Sequence, residues 1–199
     1  MSTRSLVAAL SLALVAGAQA AVSVGQPAPD FTATDSDGRT QTLSAYRGQT
    51  VVLEWTNHDC PYVRKHYNAG NMQAQQREAR ESGVVWLSVI SSAPGKQGHV
   101  SAAEANELTA RRDAAPTAVL LDSDGSIGRL YGAKTTPHMY VVDAAGTLVY
   151  MGGIDSIPSS NPADIDRATQ YVRVALEEIA AGRPVGQPVT RPYGCSVKY

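Results

Sequence analysis

The sequence predicts an α/β fold in which one mixed sheet carries helices on both faces. Two largely apolar segments, Val51–Trp55 and Val84–Ile90, flank a helical stretch. This order is typical of parallel strands buried on both faces. Two further strand-like segments, Met139–Asp143 and Thr147–Met151, are separated by Ala-Ala-Gly and predict an antiparallel hairpin. A single mixed sheet accommodates this order of elements in one domain.

Length, composition and charge exclude several other classes of protein. The chain has 199 residues, of which 43% are hydrophobic, so we expect one ordinary globular domain and not a disordered chain. With a net charge of −1, the chain has no excess of cationic side chains to release counterions from nucleic-acid phosphates, which argues against nucleic-acid binding. Two cysteines are too few for a disulfide-dense scaffold or for a zinc site of four thiolates. We expect neither a metal nor another cofactor.

The first 20 residues predict a secretory signal peptide, followed by a domain over 21–182 and a tail over 183–199. Arg4 gives the segment a positively charged beginning, and Leu6–Ala16 is a run of small and apolar residues. Ala18-Gln19-Ala20 supplies the small residues of a cleavage site. An uncleaved anchor helix is the alternative. After cleavage we expect an exported, soluble protein without membrane association, periplasmic or secreted, in a compartment where disulfides persist.

The first half of the domain begins with an extended, proline-rich segment, Gly25–Phe31. The turn at Asp35–Gly38 predicts a small hairpin as an N-terminal extension of the domain. After the first apolar strand, a helix is expected over about 62–82, kinked near Gly70 and ended by Gly83.

The second half contains two more helices and one more strand. A capping box at Ser101 and Glu104 predicts a helix that runs to about Arg112, and Ala118–Leu121 predicts a third buried strand. Apolar residues recur at three- and four-residue spacing over 162–181, which predicts an amphipathic helix. The remaining residues show no periodicity and are interpreted as a C-terminal tail.

Cys60 is the first candidate catalytic residue because it lies between a buried strand and a helix. Pro61 suits the first helical position, so the sulfur would lie at a helix N-terminus, where the macrodipole favours thiolate. Arg64 adds positive charge on the same face, whereas Asp59 opposes it. A thiolate is the nucleophile in disulfide exchange and in peroxide reduction. A buried structural cysteine is the alternative.

Four segments resemble the thioredoxin-fold redoxins grouped with alkyl hydroperoxide reductase and thiol-specific antioxidant. They are Gly25–Phe31 (GQPAPDF), Leu43–Gly48 (LSAYRG), Cys60–Val63 (CPYV) and Thr135–Asp143 (TTPHMYVVD). The resemblance spans about residues 25–155 and implies a thioredoxin fold. It also implies that Pro137 is preceded by a cis peptide bond and packs against the active-site thiol, with the Thr136 backbone beside the sulfur.

The sequence departs from two standard patterns of these proteins. Val63 stands where thioredoxin-like reductases have the second cysteine of Cys-x-x-Cys. Leu53 and Asn57 stand where the peroxiredoxin signature has Pro and Thr. The chain therefore resembles a subgroup with one cysteine in the active-site loop and a Gly-Cys near the C-terminus.

Cys195, in the tail, has three possible roles. It could be the resolving thiol that condenses with a sulfenic acid on Cys60, a permanent disulfide staple, or an unpaired cysteine. The histidines near Cys60, which are His58, His66 and His138, could bind a soft metal such as copper, but copper chaperones of this fold use a pair of cysteines in the loop and only one is present here. His58 is instead expected to tune Cys60, to orient a substrate or to face solvent.

We therefore expect an exported thiol-dependent oxidoreductase, with peroxide reduction by Cys60 favoured and Cys195 resolving. Its partners would be a peroxide or a protein disulfide as substrate, and a thiol reductant that the sequence does not identify. The first alternative is thiol–disulfide exchange with a partner protein. The second is a non-catalytic redoxin-fold binding module with a structural Cys60–Cys195 disulfide.

Overall fold

The computed structural model describes residues 22–199, so the predicted signal peptide over 1–20 lies outside the described residues. The strands are β1 (Thr32–Thr34), β2 (Thr40–Thr42), β3 (Val51–Trp55), β4 (Val85–Ile90), β5 (Ala118–Leu121), β6 (Thr135–Thr136), β7 (His138–Val142), β8 (Leu148–Gly152) and β9 (Cys195–Ser196). The α-helices are α1 (Pro61–Asn68), α2 (Asn71–Glu81), α3 (Ala102–Arg111), α4 (Ser126–Tyr131) and α5 (Tyr171–Ala180).

A five-stranded mixed sheet of order β5-β4-β3-β7-β8 forms the centre of the domain. Strands β3, β4 and β5 are parallel, whereas β7 is antiparallel to both β3 and β8. Leu53 is paired with Leu87 on one side and with Tyr140 on the other. The predicted α/β fold, the mixed sheet and the antiparallel hairpin are confirmed.

Helices cover both faces of this sheet, as the sequence predicts. On one face, α1, α2 and α5 bury apolar side chains against Val52, Trp86 and Val141. On the other face, Ile127 and Tyr131 of α4 pack with the N-terminal segment against the remaining apolar side chains of the strands. The small β1–β2 hairpin is separate from the main sheet, as expected for an N-terminal extension.

Two predicted helices are shorter than the sequence indicates. The helix expected over 62–82 is divided into α1 and α2 at Gly70, whose φ of 73° lies in the left-handed region that favours glycine. The helix expected over 162–181 begins as a 3₁₀ turn, Pro162–Arg167, and the chain is extended at Ala168 before α5 starts. Helix α4, which has only six residues, was not predicted.

The tail over 183–199 is irregular, and backbone hydrogen bonds attach it to the domain. The N–H of Met151 donates to the carbonyl of Pro188, and the N–H of Thr190 donates to the carbonyl of Met151. Further along, β9 pairs with β6, and Ala93 donates its N–H to the carbonyl of Lys198. The tail therefore runs along the β8 edge and returns to pair with β6. None of the helices within residues 22–199 has the length and apolar character needed to cross a membrane.

Candidate active site

Cys60 occupies the N-cap position of α1, immediately after the loop that follows β3. Pro61 is the first helical residue, and the N–H of Arg64 donates to the Cys60 carbonyl at 2.9 Å. The predicted strand–Cys-Pro–helix junction is confirmed. The Cys60 side chain has 0% of its surface exposed, so a molecule in solvent has no direct path to its sulfur in this conformation.

Cys195 lies next to Cys60, 135 residues away along the chain. Their sulfur atoms are 2.6 Å apart and not bonded to each other. Backbone pairing sets Cys195 opposite Thr136, and the Thr136 carbonyl accepts a hydrogen bond from the Cys60 thiol at 3.1 Å. The Thr136–Pro137 peptide bond is cis. The structure thus brings together four of the five predicted site residues.

The two thiols have opposite acid–base properties. Burial raises the pKa of Cys60, but hydrogen bonds from the Cys195 thiol and from the Val63 backbone outweigh it, so the net pKa is lowered. Burial and the neighbouring Cys60 raise the pKa of Cys195 to about 11. Cys60 therefore ionises at a lower pH than Cys195, which is its proton-bearing neighbour.

Arg64, the fifth predicted site residue, is exposed on the first turn of α1. Its charge lowers the pKa of Cys195, while hydrogen bonds dominate the lowering of the pKa of Cys60. His58 lies beside Asp59, with 3.5 Å between Nε2 and Oδ1. Among residues 22–199, no group of three or more His, Cys, Asp or Glu side chains is arranged to hold a metal ion.

Comparison with known families gives a match that covers most of the domain. The model of the AhpC/TSA family matches residues 24–151. The chain belongs to the AhpC/TSA family. The match ends before the tail, so the segment that carries Cys195 lies beyond it. No curated protein sequence matches the chain.

Solved structures share the fold of this AhpC/TSA protein. A hypothetical protein from Sinorhizobium meliloti is 21% identical, with a TM-score of 0.78 over 90% of this chain and 96% of that chain. An uncharacterized conserved protein from Geobacillus kaustophilus is 23% identical, with a TM-score of 0.78 over 89% and 92%. A candidate thiol:disulfide interchange protein DsbE from Chlorobium tepidum is 24% identical, with a TM-score of 0.53 over 66% and 85%. These likenesses establish the thioredoxin fold.

The sequence analysis missed a buried carboxyl group on the strand that leads to Cys60. The Glu54 carboxyl accepts four hydrogen bonds, from Tyr67 at 2.8 Å, Trp86 at 2.8 Å, Ser88 at 2.9 Å and Gln76 at 3.1 Å. Burial raises the pKa of Glu54, although these bonds oppose the shift. The network joins β3 to α1, α2 and β4. The sequence signal for this buried carboxyl group was one acidic residue inside an otherwise apolar strand.

A second missed group lies between α1 and the tail of this AhpC/TSA protein. The Lys65 ammonium donates to the Asp155 carboxylate at 2.9 Å, and both side chains are completely buried. The Tyr193 hydroxyl donates to the same carboxylate. Because Lys65 stands among the polar residues Arg64 and His66, its sequence context resembles a solvated helix face and gives no signal of burial.

Proposed function

We propose that this AhpC/TSA protein is an exported thiol-dependent oxidoreductase in which Cys60 and Cys195 cycle between dithiol and disulfide. The observation that carries the proposal is the 2.6 Å separation of the two sulfur atoms. A disulfide requires only a small further approach, to about 2.05 Å. The lowered pKa of Cys60 supports its role as nucleophile, and the raised pKa of Cys195 supports its role as the thiol that attacks second.

Peroxide reduction is the favoured reaction. The Cys60 thiolate attacks the O–O bond of a peroxide, which leaves a sulfenic acid on Cys60 and, after uptake of a proton, releases an alcohol or water. The Cys195 thiol then condenses with the sulfenic acid, which forms the disulfide and releases water. A thiol reductant returns both cysteines to the reduced state. The Thr136 carbonyl contacts the sulfur, the cis bond to Pro137 follows this carbonyl, and Arg64 supplies positive charge that acts on Cys195.

Thiol–disulfide exchange with a partner protein is the second candidate, and the β6–β9 pairing favours it. The tail presents a cysteine to Cys60 from an extended strand hydrogen-bonded to Thr135–Thr136. An extended peptide with a disulfide could take the same place once the tail moves away. The Chlorobium tepidum neighbour, described as a candidate thiol:disulfide interchange protein, is consistent with this reaction class.

Either reaction needs the tail to move, because Cys60 is completely buried. A peroxide needs only a small local opening, whereas a protein substrate needs the whole β9 segment displaced. If the tail never moves, the disulfide would be a permanent staple and the protein a binding module.

Purified protein without residues 1–20 distinguishes the three possibilities. Hydrogen peroxide and an alkyl hydroperoxide are supplied with a dithiol reductant, and insulin disulfide reduction is measured separately. We expect peroxide turnover in the wild type and its loss in Cys60→Ser. Insulin reduction without peroxide turnover would select the second candidate. If mass spectrometry shows that mild reductant never opens the Cys60–Cys195 bond, peroxide reduction and thiol–disulfide exchange are both overturned.

A further inference from the structure

A single buried carboxylate, that of Asp155, connects the two segments that carry the cysteines. Lys65, five residues after Cys60 on α1, donates to Oδ2 at 2.9 Å. Tyr193, two residues before Cys195, donates its hydroxyl to Oδ1. The carboxylate is completely buried, so these bonds do not compete with solvent. Hydrogen bonds to a buried charge are among the stronger ones in proteins.

Tyr193 makes further contacts with α1. Its hydroxyl lies 3.4 Å from the Lys65 ammonium and 3.4 Å from Nε2 of His66. Its ring meets the edge of the Tyr62 ring, with 5.8 Å between centroids. Tyr193 therefore joins the tail to the helix whose N-cap is Cys60, through both polar and ring contacts.

This attachment bears directly on how often Cys195 meets Cys60. A thiol in a loosely held tail has a low effective concentration at its partner, whereas an anchor two residues away raises that concentration. We propose that Tyr193 is a positioning residue that holds Cys195 against Cys60, with Asp155 as its anchor. The proposal rests on the redox pairing proposed above, and adds that the disulfide depends on this contact.

The equilibrium with glutathione measures the effective concentration of Cys195 at Cys60. In this exchange the two protein thiols are oxidised to the disulfide, and one oxidised glutathione is reduced to two glutathione molecules. The equilibrium constant has the unit of concentration. A residue that contributes only to global stability leaves this constant unchanged, whereas a residue that positions Cys195 changes it.

The decisive variant is Tyr193→Phe, which keeps the ring and removes the hydroxyl. The control is Tyr46→Phe, which removes a hydroxyl bonded to Gln41 in the N-terminal part of the chain. Proteins are equilibrated in glutathione buffers, trapped by alkylation and analysed by mass spectrometry. We expect the constant to fall about tenfold in Tyr193→Phe, the loss expected for a hydrogen bond to a charged group, and to stay unchanged in Tyr46→Phe.

A second variant, Tyr62→Leu, reaches the same contact from α1 and leaves the buried charges intact. We expect it to lower the constant about threefold, the effect of losing one aromatic pair. Near-UV circular dichroism verifies that each variant is folded. If Tyr193→Phe does not fold, Tyr62→Leu decides alone. If the wild type forms the disulfide and the folded variants have the same equilibrium constant with glutathione as the wild type, the positioning role is overturned and the proposed function stands. A wild-type protein that forms no disulfide overturns the proposed function itself.

Discussion

The sulfur of Cys60 lies 2.6 Å from the sulfur of Cys195, although the first belongs to the start of α1 and the second to a two-residue strand near the C-terminus. Cys195 pairs with Thr136, whose carbonyl accepts a hydrogen bond from the Cys60 thiol, and Cys60 is completely buried. The tail therefore supplies a second thiol, and we expect that it also closes the site. We expect the β9 segment to open before Cys60 reacts with any molecule from solution.

Replacement of the second thiol, Cys195→Ser, should stop the peroxide reaction after its first step. Cys60 would still be oxidised to a sulfenic acid, but no thiol would stand beside it to form the disulfide. We expect one equivalent of peroxide to be consumed quickly, with Cys60 trapped by dimedone in mass spectra. The wild type, treated identically, should show the disulfide and no adduct. Equal dimedone labelling of both proteins would contradict the resolving role of Cys195.

The reactivity of Cys60 towards iodoacetamide should depend on the hydrogen bond from Cys195. In the reduced wild type, the rate profile should show one thiol that titrates below the ordinary value of about 9 and a second that titrates near pH 11. Burial alone would raise the pKa of Cys60, so loss of the donor in Cys195→Ala should move its titration to higher pH. An unchanged profile for Cys60 would show that other groups hold the thiolate.

The buried Lys65–Asp155 pair should be far more sensitive to mutation than an exposed pair. Lys65→Met leaves the Asp155 carboxylate buried without its cation, a change that typically costs about 3–5 kcal/mol. Arg173→Met, which breaks a partly exposed pair with Glu78, should cost less than about 1 kcal/mol. Urea unfolding at pH 7 measures both. Similar losses in the two variants would contradict the importance assigned to the buried pair.

The longer strands, their order along the chain and the position of Cys60 could be predicted from the sequence because each has a local signal. Largely apolar runs mark β3 and β4, and Cys-Pro after such a run marks a helix start. The division at Gly70 was visible as a kink. The existence of α4 was not visible, because six residues are too few for a helical period to be read.

The sequence offers a Cys60–Cys195 pair as an expectation, but it does not show the contacts that bring the two sulfur atoms together, because those contacts are distant in sequence. Strands β6 and β9 have two residues each, which is too short for an alternating pattern. The buried role of Lys65 is likewise set by Asp155 and Tyr193, 90 and 128 residues away. The position of Cys60 after a buried strand indicated the nucleophile, and the family resemblance supplied the placement of Thr136 and Pro137 beside it.

Two buried histidines should make the protein less stable at mildly acidic pH. Burial lowers the pKa of His66 and of His138 to about 4. Between pH 6.5 and pH 4 the unfolded chain binds protons at these sites that the folded chain does not, so stability falls as the pH falls. Each histidine should remove about 2 kcal/mol between pH 8 and pH 5.

Urea unfolding of His138→Gln at pH 8 and pH 5 isolates one of these contributions. We expect its loss of stability between the two pH values to be about 2 kcal/mol smaller than that of the wild type. Glu54, whose raised pKa gives a pH dependence of opposite sign, is present in both proteins and cancels in the difference. An identical loss in the two proteins would mean that His138 is protonated equally in the folded and unfolded chains.

Gly194 should be the tail position least tolerant of a side chain. Its φ of 140° is one that residues with a Cβ rarely adopt, and an added Cβ would lie 2.0 Å from the Thr136 carbonyl oxygen. Gly194→Ala should therefore push the β9 strand away from β6, expose Cys60 and separate it from Cys195. We expect faster alkylation of Cys60 by iodoacetamide and a smaller disulfide fraction in glutathione buffer. Gly182→Ala is the matched control, because its φ of 68° is also positive but its Cβ would meet no atom within 4 Å. If both variants alkylate at the wild-type rate, the tail is not what closes the site.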